Sequence, residues 1–375
     1  MFYFITPTYF LLNKVSCQQI DPKTIPMRPL IAVLLIIFPI FTSLAQTDDA
    51  IASSMKAGIA LHDKGDYEGA VKIYDEVIKK DPHFFLAYYE KSLSLLTAGK
   101  YQDCVDLSGQ IIKQFPTAKE IPKVYVNYGS ALDYLQKPDE AIKIYSEGIK
   151  KFPGNYLLWF NRGVTGYSLK DYEKAAEDFK KSVSLNPMHA SSHMFLAYCM
   201  QKTNKVASIM CVSTFLILEP TGKRAENSMK LLSSLLGSNV EKKDEKNITI
   251  SLSPDLLDTK SKKEDDFHIT ELTLTFGSAL DLGESKKEVN IAERMKEKLD
   301  IIGVIDESKK KGFFTSFYVP FFKEMHNDSL MRTAAYIMNT SADNKDVNSW
   351  LEQNKSHVEE FYKWVDNYVW RKEEK

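Results

Sequence analysis

The chain lacks an excess of charge of either sign and lacks any apolar run long enough to cross a membrane. Its 375 residues include 49 basic and 50 acidic side chains, which gives a formal net charge of −1. A nucleic-acid binder needs a concentrated basic face, so this composition predicts no nucleic-acid partner. The apolar run from Leu30 to Phe41 is shorter than the ~20 residues that span a bilayer. We therefore expect no membrane insertion of the mature chain.

Motifs of the common enzyme classes are missing as well. The sequence contains no Gly-rich phosphate loop, no Gly-x-Ser-x-Gly elbow and no cysteine cluster with metal-ligand spacing. His189 and His193 are four residues apart, but the glutamate of a zinc-protease motif does not follow the first histidine. We therefore predict a protein that is not an enzyme and that uses no cofactor and no metal. An enzyme with an unrecognised site beyond residue 266 is the alternative.

The N-terminus has the pattern of an exported protein. Arg28 precedes the apolar run, and Ser43-Leu44-Ala45 forms a small-x-small cleavage site before a polar stretch. We predict cleavage after Ala45, so that residues 1–45 form a signal peptide region in which 1–26 are an over-long start before Met27. The predicted location is the periplasm or the outer membrane of a Gram-negative bacterium. An uncleaved membrane anchor is the alternative.

A repeat runs through the first half of the chain. Prolines recur at intervals of 34, 37, 34 and 33 residues, and each ends a segment of one pattern: Pro82, Pro116, Pro153, Pro187 and Pro220. Upstream of the first four prolines a small residue holds a fixed place: Gly58, Ser92, Gly129 and Gly163. This spacing predicts helix hairpins, because proline ends the second helix and the small residue lets the two helices approach closely. Stacked hairpins bury a shared core, so three or more copies are needed for a stable fold.

The segment Phe160-Asn161-Arg162-Gly163, with the turn and helix that follow it, resembles the tetratricopeptide-repeat family. The resemblance covers about residues 51–220. It implies an all-α solenoid of about five helix hairpins, closed by a capping helix at about 222–236. The predicted domains after the signal peptide region are a repeat solenoid at 46–237, a charged linker at 238–265 and a helical C-terminal domain at 266–375.

The mature chain would keep three of the four cysteines, Cys104, Cys199 and Cys211. An odd number does not make a disulfide framework. Cys104 stands where neighbouring repeats have alanine, which indicates a small buried residue. Cys199 and Cys211 fall on the two helices of the last repeat, and the sequence leaves open whether they pair or stay as buried thiols.

The resemblance also implies a binding surface, hereafter the groove face. In this family the first helix of each hairpin lines a concave face that holds peptides, and asparagines there bond an extended backbone. Carried over by repeat register, the corresponding residues are Tyr89, Leu93, Val126, Asn127, Phe160, Asn161, Val164, Met194 and Tyr198. They are mostly apolar or aromatic, and the Lys and Arg cluster that would hold a C-terminal carboxylate is missing.

These residues predict a non-catalytic scaffold or adaptor of the cell envelope, which binds an apolar peptide or helix of a protein partner. An exposed apolar strip without a partner would be a liability. In a second interpretation, the chain's own C-terminal half docks into the groove. In a third, the chain is a structural assembly factor that acts through aromatic residues exposed around 313–322 or 364–370.

The C-terminal part carries no family signature. A helix that ends near Gly283 is predicted from its apolar residues: Ile269, Leu272, Leu274, Phe276 and Leu280. Asp328 is expected to cap the helix that follows it, and a last helix is expected at about 345–370. Three of the four tryptophans lie in or beside this last helix, which predicts a tightly packed helical bundle.

Overall fold

The structure is a computed structural model that describes residues 49–243, 247–257, 264–283, 290–306 and 311–371. It divides the chain into two compact units, 1–56 and 57–375. In the first unit, residues 49–56 are helical. The predicted signal peptide region, with Met27 and the cleavage site after Ala45, lies outside the described residues. Within the described ranges, no helix is both long enough and apolar enough to span a membrane.

Eleven helices follow one another in the first part of the described chain. Their bounds are α1 49–63, α2 Tyr67–Lys80, α3 Phe85–Thr97, α4 Tyr101–Gln114, α5 Ile121–Tyr134, α6 Pro138–Lys151, α7 Tyr156–Ser168, α8 Tyr172–Leu185, α9 Ala190–Met200, α10 Lys205–Leu218 and α11 Gly222–Gly237. Consecutive helices from α2 to α11 pack against each other, and the first helices of neighbouring hairpins also touch. Each of the five recurrent prolines directly follows the C-cap residue of a second helix. The all-α solenoid of about five hairpins, closed by the capping helix α11, is confirmed.

The recurrent glycines lie against an aromatic ring of the second helix of their own hairpin. A Cβ atom on Gly163 would lie 2.8 Å from Cε1 of Phe179, and one on Gly58 would lie 2.5 Å from Cε1 of Tyr74. Gly129 is confined by a buried tyrosine in the same way. Because these rings are fully buried, they occupy the space that a side chain would need.

The second hairpin reaches the same packing with different residues. Ser92 stands where the other hairpins have glycine, and Ser108 stands where they have an aromatic ring. Both are fully buried, so a larger residue on one helix compensates for a smaller one on the other. Cys104 is buried beside them, with its Sγ 3.8 Å from Ser108 Oγ. Cys199 and Cys211 are buried too, and all three cysteines are free thiols.

The remaining described elements are two short strands, two 3-10 turns and six helices. Their bounds are β1 Val240–Lys242, β2 Ile248–Ile250, the 3-10 turns Pro254–Leu257 and Thr340–Ala342, and α12 His268–Gly283, α13 Ile291–Gly303, α14 Phe313–Asn327, α15 Met331–Met338, α16 Lys345–Gln353 and α17 Lys355–Asn367. The strands pair antiparallel, with Val240 opposite Ile250. The stretch that was expected to be a charged linker therefore contains a small sheet. Each strand has only three residues, and in β2 the apolar residues Ile248 and Ile250 alternate with a polar one, which is the pattern of a strand.

Two local predictions in the C-terminal part are wrong and one is confirmed. Asp328 ends α14 instead of capping the next helix, and its carboxylate accepts a hydrogen bond from Trp364 Nε1 at 2.8 Å. The expected last helix is interrupted at Asn354, which ends α16 and precedes α17. The helix predicted to end near Gly283 is confirmed as α12.

One hydrophobic core extends from the fourth hairpin into the C-terminal helices. Helix α10 lies at its centre, with 12 of its 14 residues buried, and it contacts α12, α14 and α15. The hydroxyl of Tyr362 donates to the carbonyl oxygen of Ile217 in α10 at 3.5 Å. A helix that is apolar on all sides is surrounded by other elements, and here the C-terminal helices supply part of that surrounding.

Candidate functional site

The predicted groove residues lie on the first helices α3, α5, α7 and α9. Five of the nine are half-buried: Tyr89, Leu93, Asn161, Val164 and Tyr198. The other four are buried: Val126, Asn127, Phe160 and Met194. A half-buried side chain keeps part of its surface for a ligand, whereas a buried one supports that surface from beneath. The half-buried residues therefore form most of what the groove face can offer to a partner.

The two groove asparagines use their amide N–H groups within the array. Asn127 Nδ2 donates to Ser92 Oγ at 2.9 Å, and Asn161 Nδ2 donates to the carbonyl oxygen of Leu157 at 2.8 Å. No described residue donates a hydrogen bond to the side-chain oxygen of either asparagine. These two oxygens are the atoms that can still accept a hydrogen bond from another backbone.

An aromatic cluster adjoins the groove residues of the fourth and fifth hairpins. The ring of Phe195 lies 5.5 Å from that of Tyr167 and 6.1 Å from that of Tyr198. Tyr172 lies 5.2 Å from Tyr167 and is 42% exposed. Phe195, Tyr167 and Tyr198 are half-buried. Aromatic rings supply large apolar contact areas, so this end of the groove face suits apolar side chains of a partner.

Two partly buried carboxylates lie among the first helices. Burial raises the pKa of Glu90 to about 7, with Lys123 acting against the shift and Asp63 adding to it. Glu90 accepts no hydrogen bond from a described residue. Burial also raises the pKa of Asp133 to about 6, although its carboxylate accepts a hydrogen bond from Thr165 Oγ1 at 2.7 Å. Both groups bear charge at a cost in free energy that a cation nearby would offset.

Sequence reasoning missed both carboxylates, although the repeat register contained the signal. Glu90 holds the same place in its hairpin as Asn127 and Asn161 hold in theirs. Asp133 lies six residues beyond Asn127, as Tyr167 lies six beyond Asn161. An acidic residue at a groove position is as informative as an asparagine, but only when the register is read residue by residue.

His189 and His193 are held by separate hydrogen bonds. His189 Nδ1 lies 2.7 Å from Ser192 Oγ. His193 Nε2 donates to the carbonyl oxygen of Pro187 at 2.7 Å, so its Nδ1 accepts from the Tyr318 hydroxyl at 2.7 Å. Burial lowers the pKa of both histidines to about 4. Among the residues that the structure describes, no group of three or more His, Cys, Asp or Glu side chains could hold a metal ion.

The aromatic residues of 313–322 belong to the core instead of forming an exposed patch, since all five phenylalanines there are buried. Exposed apolar residues lie on α12 instead, where Ile269, Phe276 and Leu280 are 61%, 49% and 70% exposed. At about 100° per residue these three share one face of the helix. The opposite face is buried and carries several small polar residues: Thr270, Thr275 and Ser278.

A family model described as Tetratricopeptide repeat matches residues 55–103 and 129–190. WD and tetratricopeptide repeats protein 1 of Mus musculus is 31% identical over 109 residues, which are 28% of this chain and 15% of that protein. The Hsp70-Hsp90 organising protein of Plasmodium falciparum is 30% identical over 95 residues, which are 25% of this chain and 36% of that protein. The chain thus spans well under half the length of these curated relatives.

A solved structure, that of a thermophilic TPR protein of Thermus thermophilus, is 16% identical with a TM-score of 0.41. It covers 50% of this chain, and this chain covers 98% of it. The assignment itself depends on the family match and on the packing of the hairpins, in which glycines face buried rings and prolines follow each second helix. The array of helix hairpins in this chain is therefore a tetratricopeptide-repeat array.

Proposed function

We propose that this chain is a non-catalytic protein–protein interaction scaffold that holds a segment of a partner protein on its groove face. One observation carries the proposal: half-buried apolar and aromatic groove residues recur on α3, α7 and α9, in a row of first helices that touch one another. The C-terminal helices contact the array at α8 to α11, for example where Lys180 Nζ lies 5.4 Å from the ring centre of Phe314. These contacts favour a separate partner on the groove face over the chain's own C-terminal half.

The chemistry of the groove face favours a partner segment that is apolar with at least one basic residue. The aromatic cluster of Tyr167, Phe195 and Tyr198 suits apolar side chains. Glu90 has no hydrogen-bond donor among the described residues, so a Lys or Arg of the partner would stabilise its charged form. The side-chain oxygens of Asn127 and Asn161 can accept hydrogen bonds from the partner's backbone.

The scaffold acts, in this proposal, in the cell envelope, either in the periplasm or at the outer membrane. Support comes from the signal-peptide pattern that ends at Ala45. A fusion of residues 1–60 to a reporter enzyme that is active only after export would test this. Export of the reporter is expected, and retention in the cytoplasm would contradict the location without affecting the groove.

Site-specific photo-crosslinking tests the groove directly. A photoreactive residue at Leu93 or at Tyr198 is expected to capture one and the same partner. The matched control is Leu185 on the second helix α8, which is 37% exposed. Capture of the same set of proteins at all three positions would contradict a specific groove.

Affinity for a peptide from the captured segment then measures the contribution of these side chains. We expect the double variant Leu93→Ala, Tyr198→Ala to weaken binding by about tenfold or more, and Leu185→Ala to leave it unchanged. Phe160 and Met194 are poor choices for this test because both are buried, and truncating a buried Phe or Met costs about 2–5 kcal/mol of stability. Equal affinities of the double variant and the control would refute the proposal.

A second candidate function, structural assembly through the C-terminal helices, is favoured by the exposed apolar face of α12. Its test is the pair Phe276→Ser and Leu280→Ser, both on that face, compared with Thr273→Ser beside them. Loss of an assembled complex in the first two variants, with intact groove binding, would favour this function over the scaffold.

A further inference from the structure

A cavity of about 380 Å³ lies between α11, β1, α12 and α13. Its walls are largely apolar, with contributions from Leu236, Val240, Leu282, Ile291 and Met295. Leu282 and Ile291 are 37% and 41% exposed, so apolar surface at this cavity still faces water. Ligand cavities in proteins are typically apolar and of about 300–1,000 Å³, with a few polar groups that fix the orientation of the ligand.

Among the described charged residues that line the cavity, one positive charge has no partner. Lys298 Nζ forms an ion pair with Asp281 at 2.9 Å, and the lysine side chain is only 7% exposed. Arg294 also lines the cavity, and its guanidinium makes no hydrogen bond or ion pair with another described residue. Because Lys298 and Asp281 neutralise each other, one anion beside Arg294 would balance the site.

We propose that this cavity binds a monoanionic amphiphile, a carboxylate on an unbranched apolar chain of about ten carbons. The carboxylate pairs with Arg294, whose planar guanidinium can bind both oxygens, and the chain covers the exposed parts of Leu282 and Ile291. The length follows from the volume, since 380 Å³ holds about a dozen groups of the ~30 Å³ that a water molecule takes up. The site is distinct from the groove face and does not depend on the proposed scaffold function.

Titration of the whole protein with a series of carboxylates tests the size of the site. Hexanoate, octanoate, decanoate and tetradecanoate are measured by calorimetry below the concentrations at which they form micelles. Each added methylene is expected to raise the affinity about fourfold up to about ten carbons, after which the gain stops. Absence of saturable decanoate binding, or a gain that continues unchanged to tetradecanoate, overturns the proposal.

Variants at the two ends of the site separate its charge from its apolar wall. Arg294→Gln is expected to weaken decanoate at least tenfold and to leave the neutral decanol unchanged, since a charged hydrogen bond is lost. Leu282→Gln should weaken both compounds. The control is Lys296→Gln, two residues along α13, where the side chain pairs with Asp300. Wild-type decanoate affinity in Arg294→Gln, or an equal loss in Lys296→Gln, overturns the proposal.

Discussion

Adding a single methyl group to Gly163 should destabilise the array by a predictable amount. The new Cβ would lie 2.8, 3.0 and 3.1 Å from three carbons of the Phe179 ring, whereas unstrained carbon atoms approach to about 3.5–4.0 Å. The ring has little room to move, because Phe179 is fully buried and lies against Phe160 and Phe195 at 5.8 and 5.4 Å. Overpacking of this kind costs about 1–3 kcal/mol.

The same substitution improves helix propensity, which offsets part of that cost. Replacing glycine by alanine inside a helix contributes about 1 kcal/mol, so Gly163→Ala should be net destabilising by up to about 2 kcal/mol. Gly109 in α4 provides the matched control, because a Cβ there would lie 3.9 Å from its nearest neighbour, Cε1 of Tyr128. Gly109→Ala should therefore stabilise the protein by about 0.5–1 kcal/mol.

Urea unfolding, followed by far-UV circular dichroism, measures the free energy of unfolding of both variants, and equal m-values show that only stability has changed. The free energies of unfolding should differ between them by about 1–3 kcal/mol, which is the cost of the clash alone, because both variants gain the same helix propensity. In the Gly163→Ala background, Phe179→Leu should cost less than it does in the wild type, which a double-mutant cycle detects. If Gly163→Ala were as stable as Gly109→Ala, the ring would not fill the space above the glycine and the repeat register would be wrong.

Three further predictions concern buried polar groups. Asp265 caps the N-terminus of α14, where it accepts hydrogen bonds from the backbone N–H groups of Phe314 and Thr315 at 3.1 and 2.7 Å. Asp265→Ala should therefore lower the stability measured by thermal unfolding by about 1–2 kcal/mol. A melting temperature equal to that of the wild type would contradict this capping role. His193 has an unfolded pKa of about 6.5 and a folded pKa of about 4, so the free energy of unfolding should fall by about 3 kcal/mol as the pH drops from 6.5 to 4. In His193→Gln this fall should be smaller by about that amount. If the pH dependence of stability in His193→Gln matched that of the wild type, His193 would not be its cause. A cationic partner would stabilise the charged form of Glu90, whose pKa is about 7 in the free protein. The affinity of that partner should therefore rise between pH 6 and 8. If the same rise occurred in Glu90→Gln, Glu90 would not be the group that causes it.

The repeat could be predicted from the sequence because each hairpin repeats the same local problem. Contacts within one hairpin require a proline after the second helix and a small residue in the first. The regular spacing of these residues is therefore visible in the sequence. In the second hairpin Ser92 and Ser108 replace glycine and an aromatic ring. This variation can be interpreted only when the corresponding residue on the other helix of the hairpin is also known. The accessible part of the groove face was harder to predict, because Phe160 and Tyr89 hold the same position in their hairpins, although Phe160 is buried and Tyr89 is half-buried.

The C-terminal part was predicted less well because its contacts are distant in sequence. Asp328 has the composition of an N-cap, yet its carboxylate bonds Trp364, which lies 36 residues away. The aromatic segment around Phe317 could equally have been core or contact surface, and only its packing against α10 and Trp370 decides for core. The exposed face of α12 could not be predicted either, because its apolar residues have the spacing of core residues in the sequence but are exposed in the structure.

The C-terminal helices also determine how well the last part of the groove is defined. Met194 and Tyr198 lie on α9, and the residue next to Met194 is His193, whose ring is fixed by Tyr318 of α14. The second helix of that hairpin, α10, is buried on nearly all sides, so without its C-terminal neighbours it would expose a large apolar surface to water. A repeat array that ended at α11 would therefore have a poorly packed fifth hairpin. The C-terminal half thus supports the groove face through the shared core.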